Sequence, residues 1–266
     1  MNTPAATHEL TIDLKPLGQH HTAWVLRLAD GSLVLSQRLS EWCGHGPVLE
    51  EDIAFSNIAL DLLGQARLLY THAGALEGQG RDEDAFAYWR DEADFRNPTL
   101  VELPNGDFGQ SVLRAWAYVS WQCLVWEALA RSCDAALAAI AAKSGKESRY
   151  HQEHLGSWVV RLGDGTEESH RRMQTALDYL WPYTSELFHF DAVETAAVDT
   201  GLAPGLDCVA EIWTANTNAT LHSATLSVPA PTPFLATGRQ GRHSEAMGYL
   251  LNEMQALARS HPGARW

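Results

Sequence analysis

Residues 22–47 read TAWVLRLADGSLVLSQRLSEWCGHGP, and the reading of this stretch decides the fold class. Trp24, Leu28, Leu35 and Leu39 recur at spacings that share one face of a 3.6-residue helix. The run Cys43-Gly44-His45-Gly46-Pro47 then breaks the pattern, since glycine and proline stop helices. An amphipathic helix of this length needs other helices to cover its apolar side.

Working outward, the next segments repeat the pattern. Pro47 is placed to open a second helix, where its missing N–H costs nothing, and Glu50, Glu51 and Asp52 put negative charge in the first turns. Ile53, Ile58, Leu62, Leu69 and Leu76 give this helix a wide apolar stripe running to about Glu77. Residues 78–107 form a long connection with a short helix around Ala85 to Trp89. A third helix begins near Asp107, after the turn signal Pro104-Asn105-Gly106, and carries Leu113, Trp116, Val119, Trp121, Leu124 and Leu129. Asp134 is an N-cap residue for a fourth helix, which passes Lys143, Glu147 and His151 and stops at Gly163-Asp164-Gly165. Further helices are expected over 166–188, 205–226 and 243–260. No segment alternates like a strand, and no repeat of 20–50 residues marks a solenoid. Two long helical hairpins followed by shorter helices predict an all-α, single bundle domain over 22–266. Residues 1–21, polar and holding Pro4 and Pro16, read as a loosely ordered N-terminal extension.

Composition narrows the function. The chain has 266 residues and a net charge of −14, with 33 acids against 19 Lys and Arg, which argues against nucleic acid and against an anionic membrane surface. No stretch reaches the ~18 uninterrupted apolar residues of a membrane span. Cys43, Cys123, Cys133 and Cys208 have no CxxC pairing and read as buried free thiols in a reducing compartment. The expectation is a soluble cytoplasmic protein. Trp116, Tyr118, Trp121 and Trp126 form an aromatic stripe suited to a core or a subunit interface.

A four-helix bundle binds two irons when two helices each supply Glu and the other two each supply Glu-x-x-His. Residues i and i+3 share a helix face, so one carboxylate and one imidazole reach the same metal pair. Tested against that pattern, the first helix offers Glu41 and the second offers Asp61, with Gly64 where an imidazole is required. The third helix has no central acid, and Val119 stands in its middle. The fourth offers Glu147 with Tyr150 at i+3, and His151 one residue later. Two carboxylates, one shortened carboxylate and no histidine at i+3 do not make a dinuclear site. The expectation is a degenerate centre with no catalytic residue and no metal, with Lys143 as a candidate counter-charge four residues before Glu147. The alternative is a reduced metal site built from Glu41, Asp61, Glu147 and His151.

Several long strings carry a resemblance. Leu35-Ser36-Gln37-Arg38-Leu39-Ser40-Glu41-Trp42-Cys43-Gly44-His45-Gly46-Pro47 is one, and Asn57-Ile58-Ala59-Leu60-Asp61-Leu62-Leu63-Gly64-Gln65-Ala66-Arg67 is another. Lys146-Glu147-Ser148-Arg149-Tyr150-His151, Arg161-Leu162-Gly163-Asp164-Gly165-Thr166 and Glu253-Met254-Gln255 add to them. From Thr22 to Trp266 the chain resembles the PaaC family, the structural components of phenylacetyl-CoA epoxidases. The resemblance implies a ferritin-like four-helix bundle with additional C-terminal helices. It also implies a place in a multicomponent monooxygenase that adds one atom of O2 across the ring of phenylacetyl-CoA. In such a complex the di-iron centre belongs to the catalytic PaaA component. NADPH electrons pass through a reductase component that holds flavin and an iron–sulfur cluster. A PaaC chain is implied to be the structural partner of PaaA, binding no cofactor itself and meeting phenylacetyl-CoA only through the complex. The resemblance sets Glu41, Asp61 and Glu147 at positions that are ligands in the catalytic relative, and Gly64 and Tyr150 where its histidines stand.

Overall fold

The computed structural model describes residues 14–264, with side chains from residue 18 onward. Ten α-helices follow one another along the described chain: α1 (Leu14–Ser40), α2 (Leu49–Glu77), α3 (Glu83–Tyr88), α4 (Thr99–Glu102), α5 (Phe108–Leu129), α6 (Ala135–Gly163), α7 (Glu167–Thr184), α8 (Ala192–Asp199), α9 (Val209–Ser223) and α10 (Glu245–Ser260). Among the described residues no β-strand forms, and the single bridge joins Thr237 to Arg242. No described helix is long and apolar enough to cross a membrane.

The frame is two helical hairpins. α1 packs along α2, α5 packs along α6, and α2 meets α6 across the middle. Residues 78–107 carry the chain from the first hairpin to the second, the single long crossover of ferritin-like bundles. Local chemistry fixes the ends. Gly44 takes a left-handed φ of +80°, and the Asp52 carboxylate accepts the N–H of Gly44 at 2.7 Å and of Gly46 at 3.1 Å, which closes the α1–α2 turn. Asp107 caps α5 by accepting the N–H of Gln110, and Asp134 caps α6 by accepting those of Ala136 and Leu137. The Trp116, Tyr118, Trp121 and Trp126 stripe is buried in one continuous core.

Outer helices cover three of the four bundle helices. α8 and α4 lie on α1, while α7 and α9 lie on α5 and α6. On α2 the one substantial cover from this outer layer is the short α3.

Buried ion pairs lock the crossover and the C-terminal segments onto the bundle. Asp30, wholly buried in α1, receives both Arg90 and the Tyr70 hydroxyl, the latter at 2.6 Å. Glu194 of α8 lies between Arg27 and Arg239. Glu102 accepts from His243 at 2.7 Å. Burial works against the His243 cation, but its bond to Glu102 outweighs this and raises the ring above its ordinary value.

Several expectations need correction. Among the described residues α1 already runs from Leu14, eight residues ahead of Thr22, where the periodicity starts. Residues 14–21 therefore belong to the helix, and 1–13 lie outside the described residues. Ile53 is 51% exposed and does not face the core. The short helices α4 and α8 are not apparent from periodicity. Cys43, Cys133 and Cys208 are exposed rather than buried, since they lie at helix ends and connections, and only Cys123 is buried.

Candidate functional site at the centre of the bundle

The seven candidate positions for metal ligation do not converge. Glu41 lies just beyond the end of α1, where it pairs with Arg38 at 2.7 Å and accepts from Asn105 at 2.8 Å. Asp61 is twelve residues into α2, about 18 Å along the axis at 1.5 Å per residue, so the two carboxylates stand at different levels. Asp61 and Gly64 sit toward the outside of α2. A Cβ placed on Gly64 would meet nothing within 4 Å, so this glycine opens on free space rather than on the centre. Tyr150 is 70% exposed and also points away from the core. Val119 is fully buried and apolar. Among the described residues no group of three or more His, Cys, Asp or Glu is arranged to hold a metal. The reduced site of Glu41, Asp61, Glu147 and His151 is therefore not assembled.

The inward face of α6 is displaced by one residue from the sequence frame. Ser144, Ser148 and His151 are its buried polar members, and Ser148 and His151 form the inward i, i+3 pair. Gln65 of α2, Gln122 of α5 and Ser32 of α1 are buried polar residues that meet Ser148 or one another. Spacing alone does not identify these residues, because neutral side chains carry no metal-ligand signature.

Together they make a hydrogen-bonded chain that crosses all four helices. Gln122 Nε2 donates to Ser32 Oγ at 2.9 Å, Ser148 Oγ donates to Gln122 Oε1 at 3.4 Å, and Gln65 Nε2 donates to Ser148 Oγ at 3.3 Å. Trp126 Nε1 adds a donor to Ser148 Oγ at 3.1 Å. Every member is an amide, a hydroxyl or an indole. Two ferrous ions need several carboxylates to balance their charge and oxygen or imidazole lone pairs to complete their coordination. This layer supplies no carboxylate to balance the charge of two metal ions, so the residues present do not fit an iron pair.

The acids nearest to it, Glu147 and Asp61, lie toward the margin instead. Glu147 receives Gln65 Nε2 at 3.4 Å, and Lys143 approaches it only to 3.8 Å from a side chain that is 63% exposed. That separation makes Lys143 a weak surface counter-charge. His151 Nε2 pairs with Asp61 at 2.9 Å, and His154 Nε2 pairs with Glu51 at 3.0 Å, which ties α6 to α2. Burial lowers the His151 ring below its usual value despite the opposing pull of Asp61, and so favours the neutral imidazole. These pairs border a cleft of about 310 Å³ between α2 and α6, lined also by Glu50, Ile53 and Tyr150.

Comparisons with known proteins agree with this architecture. A family profile described as "Phenylacetic acid catabolic protein" matches residues 14–266. The C component of the 1,2-phenylacetyl-CoA epoxidase of Escherichia coli (strain K12) is 45% identical over 245 residues, covering 92% of this chain and 98% of that protein.

Proposed function

The chain belongs to the family of phenylacetic acid catabolic proteins, and from that premise we propose that it is a non-catalytic structural subunit of a multicomponent phenylacetyl-CoA ring 1,2-epoxidase. It pairs with the di-iron catalytic component, PaaA, and stabilises it. The reductase, with its flavin, iron–sulfur cluster and NADPH, and the substrate phenylacetyl-CoA act on that partner rather than on this chain. The observation that carries the reading is the neutral layer of Ser32, Gln65, Gln122 and Ser148 at the bundle centre, where an oxygen-activating relative needs carboxylates and imidazoles.

Reconstitution tests it. With reductase, NADPH, O2 and phenylacetyl-CoA, this chain alone is expected to form no epoxide, and addition of PaaA is expected to restore turnover. PaaA without this chain should turn over at least tenfold more slowly. Epoxide formation by this chain and reductase in the absence of PaaA would instead make it an oxygenase in its own right.

A further inference from the structure

α2 is the bundle helix with the least cover, and its outer side is not built for water. Leu49 is 72% exposed, Ile53 51%, Leu60 65% and Leu68 37%, and Tyr150 of α6 adds 70% alongside them. The four aliphatic residues recur roughly every four to eight positions over twenty residues, so they follow one side of the helix for about 28 Å. Gly64 lies between Leu60 and Leu68 with open space at its Cβ, which lets a facing helix approach closely. Large exposed apolar side chains along one side of a helix, interrupted here by Asn57 and Arg67, point to an interaction surface.

Charge selects the occupant. From Leu49 to Leu68 the helix carries Glu50, Glu51, Asp52 and Asp61, and its one basic residue there, Arg67, is already paired with Glu83 at 2.7 Å. The cleft beside it has acidic walls at Glu50 and Asp61, with the Tyr150 ring alongside. His151 lines the same cleft, and its Nδ1 is buried with no hydrogen-bond partner in the structure. A second copy of this chain would bring acid against acid, each copy carrying a net charge of −14. A helix with Lys or Arg beside an apolar seam complements the surface in both respects.

We infer that the outer face of α2 docks a helix of the iron-bearing partner, which sets a basic side chain into the acidic cleft between Glu50, Asp61 and Tyr150. This rests on the proposed function and adds the surface through which it operates.

The test is the affinity of the full-length chain for PaaA, measured by biolayer interferometry at two salt concentrations. Ile53→Arg/Leu60→Arg should bind at least 100-fold more weakly than wild type while melting at the same temperature, since both sites are exposed. Glu50→Lys should bind about tenfold more weakly, with a shallower dependence on salt. Tyr249→Arg, at an exposed position on α10, should bind like wild type. Equal affinity of wild type and Ile53→Arg/Leu60→Arg overturns the docking face and leaves the structural role standing. Loss of binding in the double variant with no effect of Glu50→Lys overturns the basic insertion. Self-association of the chain that Ile53→Arg/Leu60→Arg abolishes assigns the face to a second copy and overturns the choice of partner. Failure of wild type to bind PaaA overturns the proposed function and this inference together.

Discussion

Gln122→Glu is expected to cost about 3 kcal/mol of stability at pH 8 and much less at pH 5, because it places a carboxylate in a layer that holds no cation. Gln122 is fully buried, so the new group keeps the shape of the old one and changes only its charge. Ser32 and Ser148 can each turn a hydroxyl toward it, which offsets part of the desolvation but supplies no positive charge. Burial raises the folded-state pKa of such a carboxyl above its unfolded value near 4.3. At pH values between the two, the folded protein holds a proton that the unfolded chain has released. Stability therefore falls as pH rises through that window and levels off above the folded pKa. Gln122→Met serves as the control, with a loss of about 1–2 kcal/mol that does not vary with pH. Thermal melts of the three proteins from pH 4.5 to 8 read the difference directly. A loss under 1 kcal/mol at pH 8 for Gln122→Glu would mean that water or a cation reaches the layer.

The second large effect is expected at Arg90→Met, at about 3–5 kcal/mol, or a fall in melting temperature of roughly 10 °C. Arg90 meets Asp30 inside the protein, where neither side chain is appreciably exposed. It also donates to the carbonyl of Phe86 at 2.7 Å and lies over the ring of Phe95 at 4.2 Å. Burial opposes the guanidinium charge, but Asp30 and the Tyr70 oxygen outweigh it and raise the pKa of Arg90. Without Arg90, the Asp30 carboxylate keeps only the Tyr70 hydroxyl and the Arg96 N–H, which satisfy its lone pairs without balancing its charge. Asp30→Asn combined with Arg90→Met should recover a large part of the loss, because the stranded charge is removed as well. If the double variant is no more stable than Arg90→Met, packing and backbone contacts hold the crossover in place and the ion pair does not.

The contrast between these two sites shows how far the sequence could be read. Helix ends are legible because their signals are local: Asp107 and Asp134 cap α5 and α6 as their positions indicate, and Gly163 ends α6. The fold class and family follow from the long helical pattern and the matching strings. The orientation of α6 does not follow. Glu147 and His151 are the residues that attract notice in its sequence, yet adjacent residues lie about 100° apart around a helix. An error of one residue exchanges the outward Glu147 and Tyr150 for the inward Ser148 and His151. Periodicity is of little help there, since the buried positions Ser144 and Ser148 are polar and do not register as a core stripe. Glu41 misleads for a related reason: α1 ends at Ser40, and the carboxylate turns to Arg38 and Asn105. The long-range ion pairs are illegible altogether. Nothing local in the sequence ties Asp30 to Arg90, Glu102 to His243, or Glu194 to residues 27 and 239, because each pair spans elements that meet only after folding.

The central claim is that neutral hydrogen-bonded side chains have replaced the metal-binding layer of this bundle. Its most direct test is to incubate the purified chain, without PaaA, with excess ferrous iron under anaerobic conditions, desalt it, and measure bound iron together with the Mössbauer spectrum. The account predicts well under one iron per chain and no coupled pair. About two irons per chain with the signature of an antiferromagnetically coupled dinuclear centre would contradict it.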